Sequence, residues 1–226
     1  MGTASVILTI LERNDWGAYQ HILDGLRRWE QYPLLLEMYA QLDYSALFES
    51  HIHGPGHIER TMCHGALCAQ SEGLSPEDTR LLLYACSYHD VGRRDDSLDN
   101  EHGYRSSLRL AELTGCTGEE LKILKGAVDA HARNEDRLRP VVESYHPADL
   151  NRALTIATLL KDSDGLDRVR IWDLDPSYLR RESSKARAGF ALELYRRYQA
   201  ATGGELVPDF VQMWKHIDAN GDPVEL

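Results

Sequence analysis

Apolar residues along this chain recur every three to four positions and nowhere settle into the two-residue alternation of a half-buried strand. From residue 15 to residue 48, aromatic and aliphatic side chains at that spacing predict two helices broken near Pro33. His53-Gly54-Pro55-Gly56 reads as a turn that closes one element before another starts at His57. Ser75-Pro76-Glu77-Asp78 puts a capping hydroxyl and a first-turn proline ahead of Leu81-Leu82-Leu83, so a helix begins there, and Gly92 sits where it would end. Thr117-Gly118-Glu119-Glu120 has the form of a capping box and predicts a helix to about His131. Apolar residues at 150, 153, 154, 156, 157, 159 and 160 predict a helix buried over much of its surface. Apolar and basic residues then alternate from Ser183 to Tyr198 as on an outer helix. With no internal repeat, low-complexity run or linker, the pattern describes one all-α domain.

Composition narrows the picture. A chain of 226 residues, 42% hydrophobic and 27% charged, is an ordinary soluble globular sequence, long enough to bury a large core. The net charge of −11 argues against a long nucleic acid as partner, yet leaves room for a local basic pocket. Cys63, Cys68, Cys86 and Cys116 form no C-x-x-C pair, and reduced structural thiols are expected. The apolar run Val6 to Leu11 meets Glu12 and Arg13 at once, too soon for a signal sequence or a membrane span. Met1-Gly2-Thr3 lacks the Ser or Thr that N-myristoylation needs at position 6. The expectation is a cytoplasmic protein that does not engage a membrane.

His89-Asp90 follows the apolar stretch Leu81 to Tyr88, where burying such a pair is costly unless something compensates it. A divalent metal would do so. Capping of the helix C-terminus is the other reading, although an aspartate there opposes the helix dipole. Upstream stands His57-Ile58-Glu59-Arg60, and downstream Asp162-Ser163-Asp164-Gly165-Leu166-Asp167. A His followed by x-x-Arg, then an adjacent His-Asp pair, then D-x-D-x-L-D, in that order, resembles the HD-domain phosphohydrolases over about residues 50–200.

The resemblance implies an HD-domain helical bundle over 51–200, with its metal site between core helices. Residues 1–50 would form an N-terminal helical extension, and 201–226 a C-terminal extension packed on the same domain. It makes His57, His89, Asp90 and Asp164 the metal ligands, with Asp164 preferred to Asp162 because the second carboxylate of D-x-D is the usual ligand. Asp162 then supports a neighbouring ligand or caps a helix. His102 and His131 match the family's later histidines, as acid–base catalysts or ligands of a second metal. The interval of 12 residues from Asp90 to His102 is shorter than in the usual dinuclear members.

Phosphate recognition needs permanent positive charge. Arg93 and Arg94 after the ligand pair, and Lys161 beside the D-x-D segment, are the candidates, with Arg168 a further one by proximity. Arg60 shares a helix face with His57 and is assigned a supporting role, or an ion pair with Asp162 or Asp167. Arg180, Arg181, Lys185 and Arg187 read as a solvated face. His53 and His64 favour structural or exposed roles, and His21, His51, His146 and His216 match no motif. The metal would be divalent Mn, Fe, Co, Ni or Zn, one ion expected and a second allowed by the six-residue set. The implied activity is hydrolysis of a phosphate ester or anhydride of a small molecule, foremost a nucleotide, by metal-bound hydroxide. The rivals are an HD-type di-iron oxygenase and a non-catalytic nucleotide-sensing module. The partner would be a small phosphorylated substrate, with a homodimer allowed.

Overall fold

A computed structural model describes residues 5–204, and among them there are twelve α-helices and no strand. The N-terminal part carries α1 (Val6–Leu11), α2 (Gln20–Arg28) and α3 (Tyr32–Gln41). Then come α4 (Pro55–Glu72), α5 (Pro76–Tyr88), α6 (His102–Ser107), α7 (Leu110–Thr114) and α8 (Gly118–His131). The chain continues through α9 (Leu138–Ser144), α10 (Leu150–Leu166), α11 (Glu182–Lys185) and α12 (Ala188–Thr202).

Local chemistry sets most of these boundaries. Pro33 lies inside the first turn of α3, where its missing N–H costs nothing, so the break falls before it, at 29–31. Gly54 and Pro55 open α4 two residues earlier than the sequence suggests, which puts His57 in the first turn. Ser75 Oγ accepts the Asp78 N–H at 3.1 Å and starts α5 as its position predicts. Asp149 does the same for α10 through the Arg152 N–H at 3.0 Å.

Three expectations need correcting. Thr117 makes no side-chain capping bond; Glu119 turns instead to accept the Ala148 N–H at 2.6 Å, tying the start of α8 to the start of α10. α10 runs on to Leu166, so Asp162 and Asp164 lie in its last turns. The expected outer helix is instead α11 and α12, and α12 is a core element. Phe190 is fully buried and stacks on Trp16 at 5.4 Å between centroids. Arg187, read as solvated, donates to the Ser183 carbonyl at 3.0 Å and to Ser71 Oγ.

The central packing joins α4, α5, α8 and α10, with α6 against α8 and α12 against α1 and α4. The start of α4 and the ends of α5, α8 and α10 carry His57, His89-Asp90, His131 and Asp164, which converge at one end of this bundle. Residues 5–50 share the core through Ile7, Leu11, Leu23, Leu26 and Leu35, all fully buried. Each such side chain contributes about 1.5–3 kcal/mol. All four cysteines are free and buried. No helix of the described residues is long and apolar enough to cross a membrane. Most of the expected C-terminal extension, and His216 with it, lies outside the described residues.

Candidate metal centre

Four histidines enter this end of the bundle, each with its Nδ1 committed. His57 Nδ1 lies 2.7 Å from Asp167 Oδ2, His89 Nδ1 3.0 Å from the Cys86 carbonyl, and His131 Nδ1 2.5 Å from the Val128 carbonyl. His102 Nδ1 meets the Asp99 carbonyl. All four partners are acceptors, so each Nδ1 carries the proton and each Nε2 the lone pair.

Those lone pairs then face one another. His57 Nε2 is 3.1 Å from His89 Nε2, and His102 Nε2 is 2.9 Å from His131 Nε2. Two acceptors in contact repel; only extra protons or a shared cation reconcile them. Burial opposes the protons, drawing the His89 pKa down to about 3 and the His131 pKa below its ordinary value.

Asp90 joins the two pairs. Its Oδ2 lies 3.7 Å from both His57 Nε2 and His89 Nε2, and its Oδ1 3.0 Å from His102 Nε2 and 3.7 Å from His131 Nε2. Oδ1 is buried and meets no aligned donor, although Arg93 Nε also stands 3.0 Å away. Burial alone would raise the Asp90 pKa; the His89, His102 and His131 rings, where they carry a second proton, outweigh it and hold the carboxyl well below the usual range. Two ligand groups result, His57-His89-Asp90 and Asp90-His102-His131, both buried. Asp164 approaches the first, its Oδ1 3.3 Å from His57 Nε2 and 4.0 Å from His89 Nε2. Imidazole nitrogen with carboxylate oxygen suits a divalent first-row metal, and the orphaned Asp90 oxygen and opposed imidazoles fit such an ion at either group.

A layer of ion pairs holds this set. Asp167 is fully buried and receives Arg60 Nε at 2.6 Å on Oδ1 and the second guanidinium nitrogen at 2.9 Å on Oδ2, beside His57. Of the two partners considered for Arg60, the structure selects Asp167. Arg60 also lies over the rings of Tyr195 and Tyr198 at 5.1 and 4.8 Å, so α12 braces it. Asp162 points elsewhere: its oxygens accept the Arg180 and Arg181 N–H groups, each at 2.9 Å, at the start of α11.

His102 reaches the centre because two glycines let α6 pass close to its neighbours. A Cβ at Gly92 would stand 2.5 Å from the His102 carbonyl oxygen and 2.4 Å from the Ser106 nitrogen. One at Gly103 would stand 2.6 Å from the Val128 carbonyl oxygen of α8. The Gly92 N–H donates to Ser106 Oγ at 2.8 Å, and Arg105 Nε returns to the Gly92 carbonyl at 2.8 Å.

A cleft of about 830 Å³ opens beside the centre, lined by His131, Lys161, Asp164, Arg168, Tyr178 and Arg180 among others. Of the phosphate candidates, Lys161 and Arg168 line this cleft, the Lys161 ammonium donating to the Arg133 carbonyl at 2.7 Å and Arg168 pairing with Asp173. Arg93 is turned to Asp90, and Arg94 is exposed on the following loop. Sequence reasoning read Arg180 as part of a solvated face, whereas it lines the cleft and pairs with Glu135 and Asp162; it gave no role to Arg133 in the cleft or to Arg170, whose guanidinium lies 3.8 Å from both Asp164 and Asp167. None of these three belongs to a motif that could have flagged it. His64 is fully buried beside Phe190, away from both ligand groups, and His53 bonds Asp96 at 2.7 Å. No family model, no curated protein and no solved structure matches this chain.

Proposed function

We propose that the protein is a metal-dependent phosphohydrolase of the HD superfamily that cleaves a phosphate ester or anhydride of a small molecule, foremost a nucleotide. The observation that carries this reading is the pair of opposed imidazole contacts joined by Asp90, a donor set that is strained without a cation. His57, His89, Asp90 and Asp164 would hold one ion, and Asp90, His102 and His131 a second. A divalent ion bound there supplies Lewis acidity and lowers the pKa of a water from 15.7 toward about 7.

The protein's own groups do the rest. Asp167 and the Cys86, Val128 and Asp99 carbonyls orient the four rings. Lys161 and Arg180 stand on the cleft wall, both paired with Glu135, and would turn from it to the phosphoryl oxygens of a ligand; the cleft's volume suits a nucleotide-sized molecule. With both later histidines turned onto Asp90, they serve this reading as ligands rather than acids.

The test is a phosphate- and pyrophosphate-release screen over nucleotides and small phosphate esters with reconstituted protein and Asp90→Ala as control. Release by the wild type that is lost in Asp90→Ala supports the reading. The same Asp90-centred arrangement favours one rival, a di-iron oxygenase. Two irons per chain with oxygen uptake and no phosphate release would establish that instead. Nucleotide binding without turnover would make the chain a sensing module.

A further inference from the structure

The cleft beside the centre is larger than a phosphoryl group alone requires. His131 and Asp164, one from each proposed ion site, mark its reacting end, with Lys161, Arg168 and Arg180 on its wall. A volume of about 830 Å³ leaves space for a sizeable organic group, since sites of this size enclose whole small molecules.

Residues 173–180 supply much of the remaining wall. Trp172, with a left-handed backbone at φ 63°, turns the chain away from the end of α10, and the Asp173 N–H returns to the Arg168 carbonyl at 3.2 Å. Asp175 then caps one tight turn, Pro176–Tyr178, by accepting the Ser177 N–H at 2.8 Å. Leu174, Pro176 and Leu179 are buried and pin this turn from both sides. Leu179 also packs on α10 one residue beyond Asp164: its Cδ2 stands 3.1 Å from the position a Cβ at Gly165 would take. The next residue, Arg180, is tied to α10 through Asp162. Between these fixed points Tyr178 is 77% exposed, and it lines the cleft. A lone exposed aromatic means little by itself; here a pinned turn displays it in the cleft that holds the ligand residues. A tyrosine on such a support offers a flat apolar face at small entropic cost, having few bonds left to fix. Asn134 and Ser177, both exposed, add hydrogen-bonding groups to the same cleft. A flat ring with polar edges suits this set, whereas a sugar has no aromatic face to stack and an alkyl chain no polar edge.

We infer that Tyr178 is a specificity-determining residue that stacks on the base of a nucleotide, so that the cleft selects nucleotides over sugar and alkyl phosphates. The inference rests on the phosphohydrolase reading and gives its substrate a recognition element outside the centre.

The experiment uses full-length, metal-reconstituted protein, the nucleotide cleaved best in the release screen, and ribose 5-phosphate as a competitor that lacks a base. Tyr178→Ala should raise KM for the nucleotide roughly 5–100-fold, the range of one base stacked on an aromatic ring, with the loss falling on KM rather than kcat. Inhibition by ribose 5-phosphate should not change, and Tyr178→Phe, which keeps the ring, should restore KM. An unchanged KM, an equal weakening of nucleotide and ribose 5-phosphate, or a Tyr178→Phe variant as impaired as Tyr178→Ala would overturn the inference while leaving the phosphohydrolase reading intact. A wild type that cleaves sugar or alkyl phosphates as readily as nucleotides would do the same. A metal-loaded wild type that cleaves no phosphate ester or anhydride would overturn both.

Discussion

Asp167 touches no proposed ion, yet it fixes His57 in the tautomer that ligation requires and anchors Arg60 beneath it. Carboxylates that orient a ligating imidazole set ring position and basicity. Asp167→Asn should therefore weaken metal affinity roughly 10–100-fold, measured by calorimetric titration, while circular dichroism stays unchanged. His64 offers a separate test, because it is fully buried, both ring nitrogens lack a hydrogen-bond partner among the described residues, and its pKa is pulled down to about 4. Its native pKa lies below its unfolded value near 6.5, so the unfolded chain binds the proton first. Stability linked to His64 is whole above pH 6.5 and is lost as the pH falls toward 4, by about 3 kcal/mol. Urea unfolding of metal-free protein from pH 7 to pH 4.5 should show this slope. His64→Leu should remove its share of that slope, leaving the part due to His89 and His131, without loss at pH 7, since an apolar side chain of similar size leaves nothing unsatisfied.

At the scale of elements, the centre depends on how closely α6 passes the turn after α5. Gly92→Ala forces a Cβ into the His102 carbonyl and Ser106 nitrogen, neither of which can yield without moving the helix. The expected results are a loss of about 1–3 kcal/mol in urea unfolding and a fall in metal from two ions per chain to one. The start of α4 at His57 and the span of α5 up to His89-Asp90 were legible because Pro55, the capping Ser75 and Gly92 mark their limits in the sequence. Asp162 and Asp164 were placed by motif, and α10 reaches Leu166 to carry them. Periodicity failed for α12, where basic residues mask a buried face of Ala188, Phe190, Ala191 and Leu194. The bond of His53 to Asp96 was not legible, because its partner lies 43 residues away across a loop whose path no local pattern records. Of the cleft arginines, Arg168 was marked by its proximity to the motif, whereas Arg133 and Arg180 reach the cleft only through the packing of distant segments.

For the whole molecule, the cost of the empty centre should appear in global stability. A ligand at 100 times its Kd adds about 2.7 kcal/mol, and a chain of this size gains roughly 2–4 °C per kcal/mol. Chelation should therefore lower Tm by roughly 5–10 °C, reversibly on adding metal back, in a thermal scan. The N-terminal helices share the core of this unit through Ile7, Leu23 and Leu35. The sequence marked residues 1–50 as an extension because no motif lies there, and a core contribution needs none. The most direct test of the account is metal content by elemental analysis of wild type and Asp90→Ala after identical reconstitution. The account predicts two divalent transition-metal ions per wild-type chain and none held by Asp90→Ala. A wild type that binds no metal, or an Asp90→Ala variant that binds as much, would contradict it.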